Sequence, residues 1–312
     1  MSSSGFDASA FERMTCSAAA AVGVPLPGTA TQVTGWLCIE QPGSWGRDVI
    51  GDEVLGAEIT GELAARTKAA HVRPTLIRRP GRHEFDGVRT VLIASSRPED
   101  SWCERFEITD LKQLLDLDLH LLNGPAPRIG APVHDPLTLV CAHGRRDQCC
   151  ALLGRPIAAD LAVRYPGKIW ECSHTGGHRF APALVLLPSG LTYGRVGSSA
   201  AAEVVEAALR GAVSPTGLRG RSCYSPVEQA AEIAVRAVIS AGSDDLVVHL
   251  EPDTAATEAD PTWAGSAVVV HRDGRRWRVR AHTVAFAPRK ASCGAAPKPV
   301  TAVVADEPLP LD

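Results

Sequence analysis

Residues 137–178 read LTLVCAHGRRDQCCALLGRPIAADLAVRYPGKIWECSHTGGH, and this stretch decides the fold. Its opening LTLVC is a short apolar run that predicts a buried strand. A Gly- and charge-rich loop follows, and residues 150–165, rich in Ala and Leu, predict a helix. Residues 168–172 (KIWEC) predict a second strand. Both strands end on a cysteine and run straight into a polar loop. A strand–helix–strand unit brings its two strands, and hence the loops leaving them, side by side.

Outward from this unit the pattern continues. Residues 183–187 and 191–196 predict two more strands joined by Pro188-Ser189-Gly190, a hairpin turn signal. Residues 200–209 (AAAEVVEAAL) predict a closing helix. Upstream, 35–40 (GWLCIE) predicts a buried strand, 57–70 a helix, 74–78 and 88–94 strands, and 108–122 a helix capped by Thr109 or Asp110. The middle of that last helix, LLDLDLHLL, also alternates at strand period. Both halves therefore read β-α-β-β-α, the order of a thioredoxin-like fold. The loops GSWGRD (43–48) and HGRRDQ (143–148) are similar enough to suggest a weak internal repeat, with metal ligands kept only in the second copy.

Downstream, 225–241 predicts a helix with Ser225 as cap, Pro226 in the first turn and Glu228 three residues after the cap. Strands are expected at 245–250, 264–271 and 276–285, and the Pro-rich tail from Ala291 is expected to be irregular. The fold class is α/β (α+β). The expected division is an N-terminal tail (1–32), a degenerate thioredoxin-like module (33–130), a thioredoxin-like module carrying the metal site (131–215) and a small C-terminal α+β region (216–312).

The 312 residues are 45% hydrophobic and 21% charged, near the globular average, with a formal net charge of −3. So balanced a charge offers no field for nucleic acid or an anionic membrane. The first fifteen residues, expected to be a loose tail or marginal helix, lack a secretory pattern, and no apolar run would span a bilayer. Nine cysteines, an odd number without an export signal, read as reduced thiols or thiolate ligands in a cytoplasmic protein.

Four residues carry the chemistry. Cys141 and Cys150 lie on the first loop and His174 and His178 on the second. Thiolate with imidazole suits zinc or iron–sulfur and excludes magnesium and calcium. Structural zinc knuckles place cysteines two to four residues apart, whereas eight residues intervene here, which favours a wider cluster. Thr175-Gly176-Gly177 disfavours a helix between the histidines and brings backbone N–H groups near whatever is bound.

At these residues the sequence resembles the sucrase/ferredoxin-like family, also described as thioredoxin-like ferredoxins. The matching stretches are 141–161, 170–196 and, more loosely, 36–48, with GRSCYSPVEQAAEIAVR (220–236) and ASCGAAPKP (291–299) similar to later family segments. The resemblance implies a [2Fe–2S] cluster held by Cys141, Cys150, His174 and His178, and an electron carrier rather than a stand-alone enzyme, serving an unidentified redox partner protein (a reductase or acceptor). No paired carboxylates support sucrose hydrolysis. A reduced, His-ligated cluster would also take up a proton at a free imidazole nitrogen.

Other residues are read beside the four. Cys149 either substitutes as a ligand or faces the helix core, since vicinal thiols point apart. His143 is a supporting donor or an exposed loop residue. Arg145, Arg146 and Arg179 either stabilise a reduced cluster and steer an acidic partner or are simply solvated; Gly176 and Gly177 supply the close backbone. Cys172 is expected in the core, Cys293 to be structural, and Cys16, Cys38, Cys103 and Cys223 to be core or incidental thiols. The alternatives are a structural Zn²⁺-binding interaction module and, behind it, a thiol–disulfide oxidoreductase using Cys141, Cys149 or Cys150, for which the Cys-x-x-Cys is missing.

Overall fold

The structure is a computed structural model describing residues 11, 13–49, 54–252 and 260–312. The start of the chain, where a marginal helix was expected, lies largely outside the described residues. Those described form a mixed α/β protein with two sheets.

The first half contains α1 (Cys16–Ala21), β1 (Gly35–Glu40), α2 (Ala57–Ala69), β2 (Val72–Arg78), β3 (Arg89–Ser95) and β4 (Trp102–Ile108). The second contains β5 (Ala131–Pro132), β6 (Leu137–Cys141), α3 (Gln148–Arg164), β7 (Ile169–Cys172), β8 (Ala183–Leu187), β9 (Leu191–Gly194) and α4 (Ser198–Leu209). β10 (Leu218–Arg221) completes a ten-stranded sheet of order β10-β9-β8-β6-β7-β2-β1-β3-β4-β5.

The pairing rules repeat. β1 runs parallel to β2 and antiparallel to β3, which pairs antiparallel with β4. β6 likewise runs parallel to β7 and antiparallel to β8, which pairs antiparallel with β9. The two sets meet where β2 and β7 pair antiparallel, with Ile77 opposite Cys172. The first half gains a strand that was not expected, β4, while β6, β7, β8 and β9 fall where the sequence places strands.

Residues 108–122 are not a helix. Their start ends β4, and two short 3-10 turns follow, Leu111–Asp116 and Leu119–Asn123. The alternating LLDLDLHLL buries only Leu114, Leu119 and Leu122 here, too narrow a stripe to seat an α-helix. The cap at Asp110 is present, accepting the Lys112 N–H.

Period-2 alternation divides the core. Leu37 and Ile39 of β1 pack with Ile59 and Leu63 of α2, while Trp36 and Cys38 share a cluster with Leu139 and Cys141 of β6. Val140 turns the other way, toward Ile157 and Leu161 of α3.

The C-terminal region opens with α5 (Pro226–Val238), capped by Ser225 and Glu228 as its sequence dictates. Its Val227, Ala231 and Val235 lie on a sheet of β11 (Leu246–Leu250), β12 (Trp263–His271), β13 (Arg276–Lys290), β14 (Pro297–Ala305) and β15 (Leu309–Leu311). The tail is thus not irregular. Prolines 297 and 299 sit at the start of β14, and alternate residues Val300 and Ala302 are buried, so the strand forms around its prolines. β13 is the longest strand, and its far end carries Arg289 back to the N-terminal segment.

Candidate metal centres

β6 and β7 are parallel neighbours, with Cys141 opposite Cys172 and the Ala142 N–H donating to the Cys172 carbonyl at 3.0 Å. The loops leaving them are therefore adjacent. Cys141 closes β6, and Asp147 caps α3 by accepting the Cys149 N–H at 2.8 Å, which fixes Cys149 and Cys150 in the helix's first turn. Left-handed Gly176 (φ +99°) and Gly177 (φ +76°) then turn the second loop so that His178 opens a 3-10 turn.

This backbone brings the four expected residues together. Cys150 Sγ lies 3.7 Å from His178 Nδ1, and the rings of His174 and His178 stack with centroids 3.9 Å apart. Cys141 lies beside Cys150, His174 and the Thr175 backbone N–H. Cys141, Cys150 and His178 are buried and His174 is half-buried. The hydrogen bond from Cys150 holds the Cys141 thiol well below the usual thiol range, against the effect of burial. The same neighbour and burial push the Cys150 thiol up. Burial, with His174 alongside, lowers His178 to about 4, so its imidazole is neutral at pH 7.

His143 is buried, not an exposed loop residue. Its Nδ1 accepts the His174 N–H at 3.2 Å, which puts the ring proton on Nε2, 2.5 Å from the Gly46 carbonyl. Trp45 meets the same ring edge-on at 5.8 Å. The loops 43–48 and 143–148, alike in sequence, are thus in contact, with Arg146 paired to Asp48. Arg145 is exposed, and Arg179 covers Phe180 at 4.7 Å. Gly176 donates to His174 Nδ1 at 3.4 Å, and Arg219, a residue the sequence did not single out, donates to the Gly176 carbonyl at 3.2 Å. Cys38, Cys103 and Cys172 are core thiols as expected, and Cys223 is half-buried.

A second group was not anticipated. The thiols of Cys16, Cys149 and Cys293 and a carboxylate oxygen of Asp147 all lie within 4.8 Å of one another, a set able to hold a metal ion. Cys149 is buried in the core as expected, and its sulfur meets those of Cys16 and Cys293 while Cys150 turns to His178. Cys16 opens α1, and Cys293 sits in the turn between β13 and β14. The three thiols come from chain positions too far apart for spacing to link them, and only the adjacent Cys149-Cys150 pair hinted at two destinations.

The fold and the group of Cys16, Asp147, Cys149 and Cys293 define a mixed α/β protein with a buried thiol-rich cluster able to hold a metal ion. The model of the sucrase/ferredoxin-like family matches residues 26–220, more than half of the chain, and the chain belongs to that family. Searches of curated proteins and of solved structures returned no match. Among the described residues no helix is long and apolar enough to cross a membrane.

Proposed function

We propose that the chain is a one-electron carrier in which Cys141, Cys150, His174 and His178 hold a [2Fe–2S] cluster. The observation carrying this reading is the convergence of two thiols and two imidazoles from the loops that end paired strands. The donor set fits: soft thiolates and neutral imidazoles in a largely buried setting are what such a cluster takes. Family membership supports it.

The bound cluster would supply reversible one-electron chemistry, at a potential raised by neutral imidazole; in Rieske centres the rise reaches about −150 to +300 mV from about −400 mV. The chain's own part is positional. Cys150, His174 and the Thr175 backbone N–H lie where they favour a thiolate at Cys141. His143 fixes the backbone of His174, and Arg219 anchors the glycine loop. A free imidazole nitrogen would accept a proton on reduction, and exposed Arg145 would meet an acidic face of a protein redox partner.

One observation favours the zinc alternative: 3.7 Å between Cys150 Sγ and His178 Nδ1 also suits the edge of a tetrahedron around a single ion. Iron, sulfide and zinc content of anaerobically purified protein separates the two. Iron and sulfide in equal amounts, with a red-brown colour bleached by dithionite and lost in Cys150→Ala, supports the carrier. A colourless protein whose zinc disappears in Cys150→Ala replaces it with a structural binding module.

A further inference from the structure

The second thiol group has the dimensions of a metal site of its own. A Zn–S distance of about 2.3 Å implies tetrahedral sulfur–sulfur edges of roughly 3.8 Å, and roughly 3.6 Å from sulfur to a carboxylate oxygen. Here Cys16 Sγ lies 3.7 Å from Cys149 Sγ and 3.6 Å from Cys293 Sγ, and Cys149 and Cys293 are 3.3 Å apart. The two oxygens of Asp147 stand 3.5 and 3.7 Å from Cys16 Sγ. Three thiols at mutually similar separations do not form a disulfide, which needs two sulfurs at about 2.05 Å and leaves the third alone.

The carboxylate is held in place independently. One Asp147 oxygen accepts the Cys149 N–H and the other accepts the Cys293 N–H, each at 2.8 Å. The segment bearing Cys16 is held as firmly. Arg289 donates to the carbonyls of Ala19 and Val22, and Arg195 to those of Ala20 and Val24, so two guanidiniums grip the C-terminal end of α1. Cys149 lies in the first turn of the 17-residue α3, where the helix dipole favours thiolate.

We propose that Cys16, Cys149, Cys293 and Asp147 bind a structural Zn²⁺ ion, separate from the Cys141/Cys150/His174/His178 centre. Three thiolates and a carboxylate satisfy zinc's preference for a closed tetrahedron of sulfur with one harder ligand. The ion clasps α1 and the β13–β14 turn onto the start of α3. Cys16 and Cys293 lie outside the stretch matched by the family model, so this clasp is a property of the whole chain. The proposal does not depend on which metal occupies the first centre.

The test is metal analysis of the full-length protein grown with zinc, beside Cys293→Ser, Cys16→Ser and Cys150→Ala. The expected result is stoichiometric zinc that falls at least tenfold in Cys293→Ser and Cys16→Ser and persists in Cys150→Ala. Absence of zinc from the wild type, zinc lost only in Cys150→Ala, or zinc unchanged in Cys293→Ser would each overturn it. Should the serine variants fail to fold, zinc-edge X-ray absorption of the wild type reads the ligands directly. Three sulfurs with one oxygen support the site; two sulfurs with two nitrogens refute it. Iron and sulfide measured on the same samples report separately on the first centre.

Discussion

Gly154 of α3 packs so closely on the carbonyl oxygen of Cys141 that a Cβ at position 154 would overlap it. The contact is backbone to backbone, so no side chain can rotate away. It sets the distance between the helix that carries Cys150 and the strand that carries Cys141. Gly154→Ala gains about 1 kcal/mol of helix propensity but overpacks the interface by about 1–3 kcal/mol. The expected outcome is a lower midpoint in urea unfolding together with lost metal, read by metal analysis of the soluble fraction.

Arg219 is fully buried beneath the glycine loop. It donates to the Gly176 carbonyl and to Thr29, and it stacks on Phe180 at 4.6 Å. Burial, then neighbouring Arg179 and Arg195, lower its guanidinium to about 9. Arg219→Met keeps the volume and removes the tether, so the loop bearing His174 and His178 should loosen. The expected readout is metal release to a chelator at least tenfold faster, with unchanged far-UV circular dichroism.

His143 acts through His174. His143→Phe leaves the His174 N–H and the Gly46 carbonyl without their partner, costing about 1–3 kcal/mol for each group kept from water. By analogy with outer-shell partners elsewhere, metal affinity should fall about 10–100-fold. A competition titration checks this, and His143→Asn should recover part of the loss.

Glu232 lies between two arginines, 3.6 Å from Arg221 and 2.9 Å from Arg236, with Glu232 and Arg221 almost wholly excluded from solvent. Arg221 in turn donates to the carbonyls of Ser189 and Ser243, joining β10 to the β8–β9 hairpin and to the region after α5. Glu232→Ala would leave buried charge uncompensated, at a cost of about 3–5 kcal/mol in denaturant unfolding. It should leave the colour and metal content of the surviving folded protein unchanged.

The metal-free chain should weaken in mild acid. His178 is held near 4 when folded and has its ordinary value of 6.5 when unfolded, so the unfolded chain binds the proton first. The stability this neutral imidazole contributes is complete above about pH 6.5 and is lost as the pH falls toward 4, by up to about 3 kcal/mol. Urea midpoints at pH 7 and pH 5 test it, and His178→Gln should flatten the difference.

The strands flanking the two loops were legible because burial on both faces leaves a continuous apolar run, as in LTLVC and ALVLL. The glycine loop was legible because two glycines between histidines exclude a helix. Residues 108–122 were misread because a strand end and two 3-10 turns present apolar residues at intervals that also suit a helix. β14 was missed because its prolines suggest an irregular tail, though they fall at its first turns of pairing. The thiol group of Cys16, Cys149 and Cys293 is a product of tertiary structure alone. No local pattern links position 16 to position 293.

The antiparallel meeting of β2 and β7 has a further consequence. A self-complementary contact between like units is how two-fold dimers close, each unit covering the edge that its mate leaves bare. Here that relationship is written into one polypeptide, so the two halves need not stay identical as subunits of a homodimer must. Where the second half gathers Cys141, Cys150, His174 and His178, the first offers Trp45, Gly46 and Asp48 as a wall. Joined in one chain, the halves can differ: one carries the four residues proposed to hold a cluster, and the other supplies part of the wall around them.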